Sequence, residues 1–169
     1  MGFMKQLMED VRFRPYGSGD AERLRAMSER LTPYSLYLRF FTGSPRIPET
    51  YVRLLGHVDH WDHEALVALV DGEVAGIAEY IRDKTDPCRA EIAMLVTDPW
   101  QRHGLGGAMI GFLAELAGRR GITEFDADIM LENHNGLSAV HSMWPGARGR
   151  FADGAAHFRL PLARLPCSP

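Results

Sequence analysis

The residues with the clearest chemical potential lie in the segment DPWQRHGLGGAM at positions 98–109, between an apolar strand-like run and a helix-like run. Three glycines, Gly104, Gly106 and Gly107, stand where the helix is expected to begin. The first turn of a helix carries unpaired backbone N–H groups and the positive end of the helix dipole, and glycines let an anion come close to them. The segment is therefore a candidate phosphate site, with a glycine-rich turn that serves packing alone as the alternative.

The side chains before the glycines are Gln101, Arg102 and His103, and each could donate a further hydrogen bond to an anion. Two common phosphate motifs do not fit this segment. A dinucleotide-binding fingerprint would need glycine at Met109, and a P-loop would need Gly-Lys-Ser or Gly-Lys-Thr, which is absent. The pattern that fits is Gln/Arg-x-x-Gly-x-Gly/Ala, present at 101–106.

The rest of the chain predicts the elements that must hold this segment. In order, apolar periodicity and turn signals predict a strand at 11–15, a helix at 18–31, short helices at 33–41 and 48–58, two strands within 65–81, a strand at 89–97, a helix at 104–121, a strand at 122–130, a short helix within 133–144 and a strand at 155–162. Asp71-Gly72 is a strong hairpin signal, and Pro33 and Pro48 each suit a first helical turn. One apolar face of the helix at 104–121 is expected to pack on the sheet, and its members are Leu105, Met109, Phe112, Leu113 and Leu116.

Length and composition limit the class of protein. The 169 residues carry a formal net charge of −3 and two cysteines. We expect one α/β domain over residues 1–169, with a mixed central sheet of about six to seven strands flanked by helices. The dispersed basic residues predict neither nucleic-acid binding nor a membrane-surface patch.

The start of the chain, its apolar runs and its cysteines bear on where the protein is located. No run is apolar and long enough to span a bilayer, and the start MGFMKQLMED lacks the apolar core of a signal peptide. Cys88 and Cys167 form neither a disulfide framework nor a zinc pattern. These features predict a reducing, cytoplasmic setting.

The glycine segment and the order of the elements resemble the GNAT superfamily of acyl-CoA-dependent N-acyltransferases, over nearly the whole chain. The resemblance implies acetyl-CoA as the co-substrate, with its pyrophosphate on the loop amides and its pantetheine arm along the central strand. The residues that it assigns to coenzyme A are Leu95, Val96, Gln101, Arg102, His103, Gly104, Leu105, Gly106, Gly107 and Asn133. For Asn133, a turn at the end of a strand is the alternative.

Three segments are similar to bacterial protein lysine acetyltransferases of the Pat type within this superfamily. They are TPYSLYLRFF, VDHWDHEALVAL and AEIAMLVTDPWQRHGLG. This resemblance implies that Glu91, at the head of the central strand, acts as the general base. Some members of the group carry a fused regulatory domain, for which 169 residues leave no room.

The chemistry also calls for a base. A lysine with a pKa of ~10.4 is neutral only about once in 2,500 molecules at pH 7, so a positioned carboxylate should assist its attack on a thioester. Period-2 alternation puts Glu91 on one face with Ala93 and Leu95, near the mouth of the expected cleft. Glu79 is the second candidate, and an ordinary surface or salt-bridged carboxylate is the alternative for Glu91. A backbone N–H near Leu95 to Val96 is expected to stabilise the oxyanion.

The leaving thiolate needs a proton. Other GNAT enzymes often supply it from a tyrosine in the helix after the fifth strand, but NHNGLSAVHSMWPGA contains none. Ser138, His141 or solvent could serve instead. Direct transfer requires no acyl-enzyme, so Cys88 is assigned no nucleophilic role.

Two further clusters have simpler interpretations. The run HVDHWDH at 57–63 is rich in metal-ligand residue types but lacks regular ligand spacing, so no metal is predicted. An aromatic stripe is expected to form core or cleft wall, and its members are Tyr34, Tyr37, Phe40 and Phe41. Arg39 and Arg46 could guide an acidic substrate surface or remain simply solvated.

The chain is therefore predicted to be an acetyl-CoA-dependent N-acetyltransferase that moves an acetyl group directly to a primary amine. A protein lysine is the favoured acceptor, and a small-molecule amine is the runner-up. A non-catalytic acyl-CoA-binding sensor is the rival from a different class. The expected partners are acetyl-CoA and the amine acceptor, without nucleic acid or membrane, and a homodimer is one option for assembly.

Overall fold

A mixed sheet runs through residues 8–162, the part of the protein that the computed structural model describes. Its seven strands are β1 (Arg12–Pro15), β2 (His63–Val70), β3 (Glu73–Arg82), β4 (Arg89–Val96), β5 (Glu124–Met130), β6 (Arg150–Ala152) and β7 (Ala155–Pro161). They lie in the order β1-β2-β3-β4-β5-β7-β6, and only the β4–β5 pair is parallel. The predicted mixed α/β sheet is confirmed.

Helices cover both faces of this sheet. Within residues 8–162 they are α1 (Ala21–Met27), α2 (Pro33–Phe40), α3 (Glu49–Leu55), α4 (Leu105–Arg119) and α5 (His134–Met143). One buried cluster joins α1, α2 and α3 to one face of the sheet, and a second joins α4 and α5 to the other. Because side chains alternate along a strand, Ile77 of β3 belongs to the first layer, and Ala78 and Tyr80 belong to the second.

Two Asp-Gly turns build the hairpins. Asp71 and Gly72 have φ of 51° and 79°, so the predicted hairpin between β2 and β3 is confirmed. Asp153 and Gly154 have φ of 52° and 77° and join β6 to β7 in the same way. The strand at 150–152 was not predicted from the sequence, although the Asp-Gly dipeptide at 153–154 is a hairpin signal.

Two local predictions need correction. Pro48 is the residue that caps α3, with an extended backbone, and does not lie in the first turn.

Phe112 was expected on the buried face of α4 but remains 46% exposed and contacts Phe13 at a ring distance of 5.1 Å. The buried face is centred instead on Leu113 and Ala117, which lie about 100° and about 140° from Phe112 around the helix.

The helices and Cys88 within residues 8–162 bear on the predictions about membrane spans and cysteines. Among residues 8–162, no helix combines the length and the apolar character that crossing a bilayer requires. Cys88 is exposed with a free thiol. Cys167 and most of the predicted non-signal start MGFMKQLMED lie outside the described residues.

The parallel pair β4–β5 is short. Its register covers only Arg89–Glu91 opposite Glu124–Asp126. Beyond these residues the strands separate, although β4 continues to Val96 and β5 continues to Met130. The sheet therefore contains a cleft between two of its central strands.

Asp20 ties the first strand to the first helix. It caps α1, and its buried carboxylate accepts hydrogen bonds from the Gly17 N–H at 2.9 Å and from the Arg14 guanidinium at 2.6 and 2.8 Å. The bond from Arg14 is the main cause that lowers the pKa of Asp20. The Asp20 side chain does not cap the N–H groups of α1, but it also accepts a hydrogen bond from Arg23 of this helix at 3.3 Å.

Asp20→Asn should lower the free energy of unfolding at pH 7 by about 1–3 kcal/mol, because it removes charged hydrogen bonds from a buried site. A carboxylate with a lowered pKa stabilises the fold above its unfolded-state pKa and loses that effect as the pH falls. The difference from wild type, measured by urea unfolding, should therefore shrink below about pH 4.

The matched control is Glu22→Gln on the same helix. The Glu22 side chain is 85% exposed in its pair with Arg25, so its loss should cost only a few tenths of a kcal/mol, roughly. Equal losses for the two variants would contradict the role assigned to Asp20.

Candidate active site

A cavity of about 810 Å³ occupies the cleft between β4 and β5. Its walls come from these two strands, the start of α4, the α5 helix and the end of α2. This volume lies in the range of pockets that enclose organic ligands. The cleft is therefore the candidate site of the molecule.

Most residues that the sequence analysis assigned to a ligand line this cavity. They are Glu91, Leu95, Val96, Gln101, Arg102, Gly104, Leu105, Gly106, Gly107 and Asn133. His103 does not line it, and its ring lies edge-on to Trp100 at 6.4 Å. A residue two positions before the helix can turn its side chain away from the cleft, which spacing alone does not reveal.

The start of α4 offers backbone donors to the cavity. The first helical hydrogen bond runs from the Ala108 N–H to the Gly104 carbonyl at 3.1 Å. The N–H groups of Leu105, Gly106 and Gly107 precede that bond, and no side chain caps the helix at Gly104. Such groups suit an anion.

The three glycines serve different needs. Gly104 has φ of 83°, in the left-handed region that favours glycine. A Cβ on Gly106 would lie 2.6 Å from Cε of Met94, so this glycine lets the helix approach β4. A Cβ on Gly107 would meet no atom within 4 Å, so this position borders open space in the cavity.

Gln101 connects the loop to its surroundings. Its side-chain amide donates to Oγ of Ser35 at 3.2 Å and to the Val96 carbonyl at 3.0 Å. Both donated bonds stay within the protein, so this predicted ligand donor instead joins α2, β4 and the glycine loop. Thr32 and Ser35 also donate to the Asp98 carboxylate, which holds the same three parts together.

The backbone of β4 faces the cleft at every second residue. The ladder between β3 and β4 includes a bond from the Thr97 N–H to the Ala75 carbonyl at 2.9 Å. By alternation, Leu95 also bonds to β3, whereas the backbone groups of Met94 and the N–H of Val96 face the cleft, and the Val96 carbonyl accepts from Gln101. Leu95 and Val96 were predicted here from the sequence, and Met94 was not.

Glu91 lies on the face of the sheet that carries α1–α3, opposite Ile81 of β3. Its carboxylate borders the cavity and is accessible to solvent. Partial burial raises the pKa of Glu91, the negative charge of Asp128 raises it further, and Arg39 opposes the shift. A carboxylate with a raised pKa is a stronger proton acceptor once it is ionised.

Glu79, the second candidate base, is held inside the protein. It is only 3% exposed, and its two oxygens contact Arg39 at 2.9 Å and His63 at 2.6 Å. The Arg39 guanidinium also lies over the rings of Phe40 and Tyr51, at 4.8 and 5.0 Å. This arrangement fixes α2 to the sheet and leaves Glu79 no free oxygen for a substrate.

Two residues beside Glu91 were missed from the sequence. Asp128 and His157 both line the cavity, on adjacent strands and directly opposite each other. Nδ1 of His157 lies within hydrogen-bonding distance of the Asp128 carboxylate. The period-2 alternation of β5 and β7 could have placed both on one face, but their pairing across strands is not visible in sequence.

The candidates for the leaving-group proton are separated by the structure. Ser138 lines the cavity, and so does Ser142 one turn later on α5. His141 does not line it, and its ring packs edge-on to Phe158 at 5.9 Å. Of the two predicted side chains, only Ser138 can therefore reach a ligand in this cleft.

The histidine-rich run at 57–63 is divided among separate partners. Nδ1 of His60 contacts Glu64 at 2.7 Å, while Asp62 pairs with Arg82 at 2.7 Å. Asp59 accepts three backbone N–H groups of its own turn. Within residues 8–162, no group of three or more His, Cys, Asp or Glu side chains is arranged to hold a metal.

The aromatic stripe of α2 divides between core and surface. Phe40 packs against Tyr51 at a ring distance of 5.2 Å, and Phe41 lines the cavity. Tyr34 and Tyr37 are exposed, and the Tyr34 hydroxyl donates to the Glu132 carbonyl across the cleft at 3.1 Å. The predicted cleft wall is thus present at Phe41, and Arg46 is solvated.

Comparison with known proteins gives a consistent result. The model of the acetyltransferase (GNAT) family matches residues 30–139. Acetyltransferase Pat of Mycolicibacterium smegmatis is 31% identical over 123 residues, which cover 71% of this chain and 36% of Pat. The chain thus spans about a third of the length of this curated relative.

Solved structures agree with the family match. The crystal structure of the GNAT domain of S. lividans PAT has a TM-score of 0.82 and 29% identity, over 89% of this chain and 90% of that domain. The structure of yncA, a putative acetyltransferase from Salmonella typhimurium with its cofactor acetyl-CoA, shares the fold at a TM-score of 0.69 and 17% identity, over 90% and 94% of the two chains.

Glu79→Gln and Glu91→Gln should differ sharply in stability. Glu79→Gln removes the buried partner of Arg39, whose side chain is 18% exposed, and should lower the free energy of unfolding by about 3–5 kcal/mol. Glu91→Gln alters an accessible group and should stay within about 0.5 kcal/mol of wild type. Denaturant unfolding at pH 7 measures both, and similar losses would show that the two carboxylates do not have these different roles.

Proposed function

Because the chain belongs to the GNAT acetyltransferase family, we propose that it transfers an acetyl group from acetyl-CoA to a primary amine, with a protein lysine as the favoured acceptor. One observation carries the proposal: a single cavity extends from the unpaired amides of α4 to the accessible carboxylate of Glu91. The similarity to Pat supports the choice of lysine. We propose one such domain over residues 1–169 and a cytoplasmic location, and a homodimer stays a prediction.

Acetyl-CoA would lie along the cleft from α4 toward Glu91. The N–H groups of Leu105, Gly106 and Gly107 would bind the pyrophosphate, with Arg102 adding positive charge. The pantetheine arm carries amide groups, and these would pair with the free backbone groups of β4 as a short added strand would. Asn133 lies on the opposite wall, where its Oδ1 caps α5 through the Gly136 N–H at 2.9 Å.

Amine attack would place the acetyl carbonyl between Glu91 and the open backbone of β4. The neutral amine attacks the carbonyl carbon, and its surplus proton passes to Glu91 directly or through water. The Met94 or Val96 N–H would stabilise the tetrahedral oxyanion. The C–S bond then breaks, and the thiolate leaves with a proton from Ser138, Ser142 or solvent.

The absence of tyrosine from residues 133–147 favours a second candidate function. A protein that binds acyl-CoA without transferring the acyl group would need the pyrophosphate and pantetheine contacts only. This sensor would show donor binding but no product with any amine. A small-molecule amine as the acceptor remains the alternative within the enzymatic proposal.

Calorimetry with acetyl-CoA, followed by mass spectrometry of added lysine peptides and small amines, tests the proposal. Wild type should bind the donor and add one acetyl group to an amine. Glu91→Gln should keep donor binding and lose about 10²–10⁴-fold in turnover near pH 7. Because ionised Glu91 is the active form, wild-type turnover should rise as the pH passes upward through its raised pKa.

Each result has a distinct meaning. Binding without product on any amine would favour the sensor, and no binding would remove the basis for the whole proposal. Undiminished turnover by Glu91→Gln across the pH range would exclude Glu91 as the base. The loss should be smaller for an amine that is already neutral, since that acceptor needs less help from a base.

Gly107→Glu should weaken acetyl-CoA binding by roughly tenfold or more, a change of about 1.4 kcal/mol, because its carboxylate would enter the space proposed for the pyrophosphate. Gly107→Ala is the matched control, with little effect expected from a methyl group in open space. S-acetyl-pantetheine lacks the pyrophosphate, so Gly107→Glu should bind and use it as wild type does. Equal weakening for both donors would place the pyrophosphate elsewhere.

A further inference from the structure

Lysine is rare in this chain, and one lysine lies beside the proposed base. The chain has two lysines, Lys5 and Lys84, and Lys5 lies outside the described residues. Lys84 stands in the connection between β3 and β4, two residues after the end of β3 at Arg82. Arg82 pairs with Ala90, the residue before Glu91. Lys84 follows Arg82 by two residues, which is roughly 7 Å of extended chain. A lysine side chain adds a flexible four-carbon stem to this reach.

A second, smaller cavity of about 230 Å³ lies between Lys84 and Glu91. Its lining consists of Ile81, Arg82, Asp83, Lys84, Glu91, Asp126 and Asp128. Glu91 and Asp128 also line the large cavity, so the two cavities meet at these carboxylates. The strand register places Ile81 and Asp126 directly beside Glu91, on the same face of the sheet. Glu91 is therefore reachable from the donor cleft on one side and from Lys84 on the other.

We propose that Lys84 is an acetylation site of the protein itself, and that its amine is presented to Glu91 through this second cavity. The inference rests on the function proposed above. It identifies the second cavity as the acceptor entrance and a lysine side chain as the group that fits there.

The charges around the second cavity favour a lysine ammonium group. Asp126 and Asp128 form an acidic wall beside Glu91. Arg82 does not neutralise this wall, because its three guanidinium nitrogens contact Asp62, the Pro87 carbonyl and the Arg120 carbonyl. Asp126 pairs with Arg89 at 2.6 Å and Asp128 contacts His157, so part of this negative charge is already compensated, and Lys84 is a further cation that lines the cavity.

The connection that carries Lys84 is well fixed. The Asp83 N–H donates to the Arg89 carbonyl at 2.9 Å, which extends the β3–β4 ladder by one pair. The Asp83 carboxylate accepts the backbone N–H groups of Thr85 at 2.6 Å and Asp86 at 3.0 Å. These bonds fix the backbone next to Lys84, so only its own side chain must move to bring the amine to Glu91.

The reaction uses only acetyl-CoA and this chain. Nζ of Lys84 loses a proton to Glu91, directly or through water, and attacks the thioester carbonyl. The new C–N bond forms as the C–S bond breaks, and coenzyme A leaves as a thiolate that takes up a proton. The products are Nε-acetyl-lysine at position 84 and free coenzyme A.

The test incubates the full chain with acetyl-CoA and no other acceptor, and follows both lysines by peptide mass spectrometry. Lys5 reports the background of chemical acetylation. Lys84 should gain its acetyl group on the order of 10²-fold faster than Lys5, and Glu91→Gln should reduce that excess to background. The rate constant should not change on dilution of the protein, because the reaction is intramolecular.

A matched control moves the lysine by one residue. In the double variant Lys84→Arg with Thr85→Lys, the charge stays in the turn but the amine leaves the lining of the second cavity, so position 85 should react at the background rate. Calorimetry with acetyl-CoA shows whether this variant and Glu91→Gln still fold and bind the donor. A variant that fails to bind is replaced by Lys84→Arg alone, for which Lys5 should be the only acetylated lysine.

Several outcomes would overturn the inference. They are equal rates at Lys84 and Lys5, acetylation of Lys84 that persists in Glu91→Gln, and a rate constant that grows with protein concentration. If wild type acetylates an added lysine peptide but not Lys84, only this inference fails. If wild type binds no acetyl-CoA or acetylates no amine, the proposed function fails as well.

Discussion

The central constraint of this structure is that the parallel pairing of β4 and β5 stops after three residues. A strand inside a sheet normally satisfies its backbone groups on both sides. From Ile92 onward, β4 is paired on the β3 side alone, and its other side borders a cavity of about 810 Å³. An extended ligand with amide groups can complete that pairing. The cleft is therefore produced by strand geometry, and the side chains around it refine what it binds.

The surrounding elements hold this open arrangement in place. Gly106 lets α4 approach β4 next to Met94, which supports the strand at the point where its partner has departed. Gln101 donates to the Val96 carbonyl at the end of the same strand. On the other face, the buried contact of Glu79 with Arg39 holds α2 over the cleft. Removing water from these charges is costly, but the pair fixes one orientation of α2 that apolar packing alone would specify less strictly.

Local signals in the sequence predicted most of the fold. Asp71-Gly72 gave the hairpin because only a few residue types adopt positive φ, and the same dipeptide at 153–154 could have revealed β6. The glycine segment was placed correctly at the start of α4 because its spacing is local. Pairings between distant residues were not predictable in this way. The contact of Asp128 with His157 depends on the register of β5 and β7. The hydrogen bond from Gln101 to Ser35 depends on how α2 packs against the glycine loop.

The position of Glu91 between two cavities has an electrostatic consequence. Its pKa is raised by partial burial and by nearby carboxylates, with Asp128 the strongest of them, and Arg39 compensates only in part. An ammonium group that enters the acidic second cavity would add positive charge beside Glu91 and favour its ionised form. Once the amine has given up its proton, that positive charge is gone and the raised pKa favours retention of the proton on Glu91. The same carboxylates would thus attract a cationic acceptor and make Glu91 a stronger base for its proton.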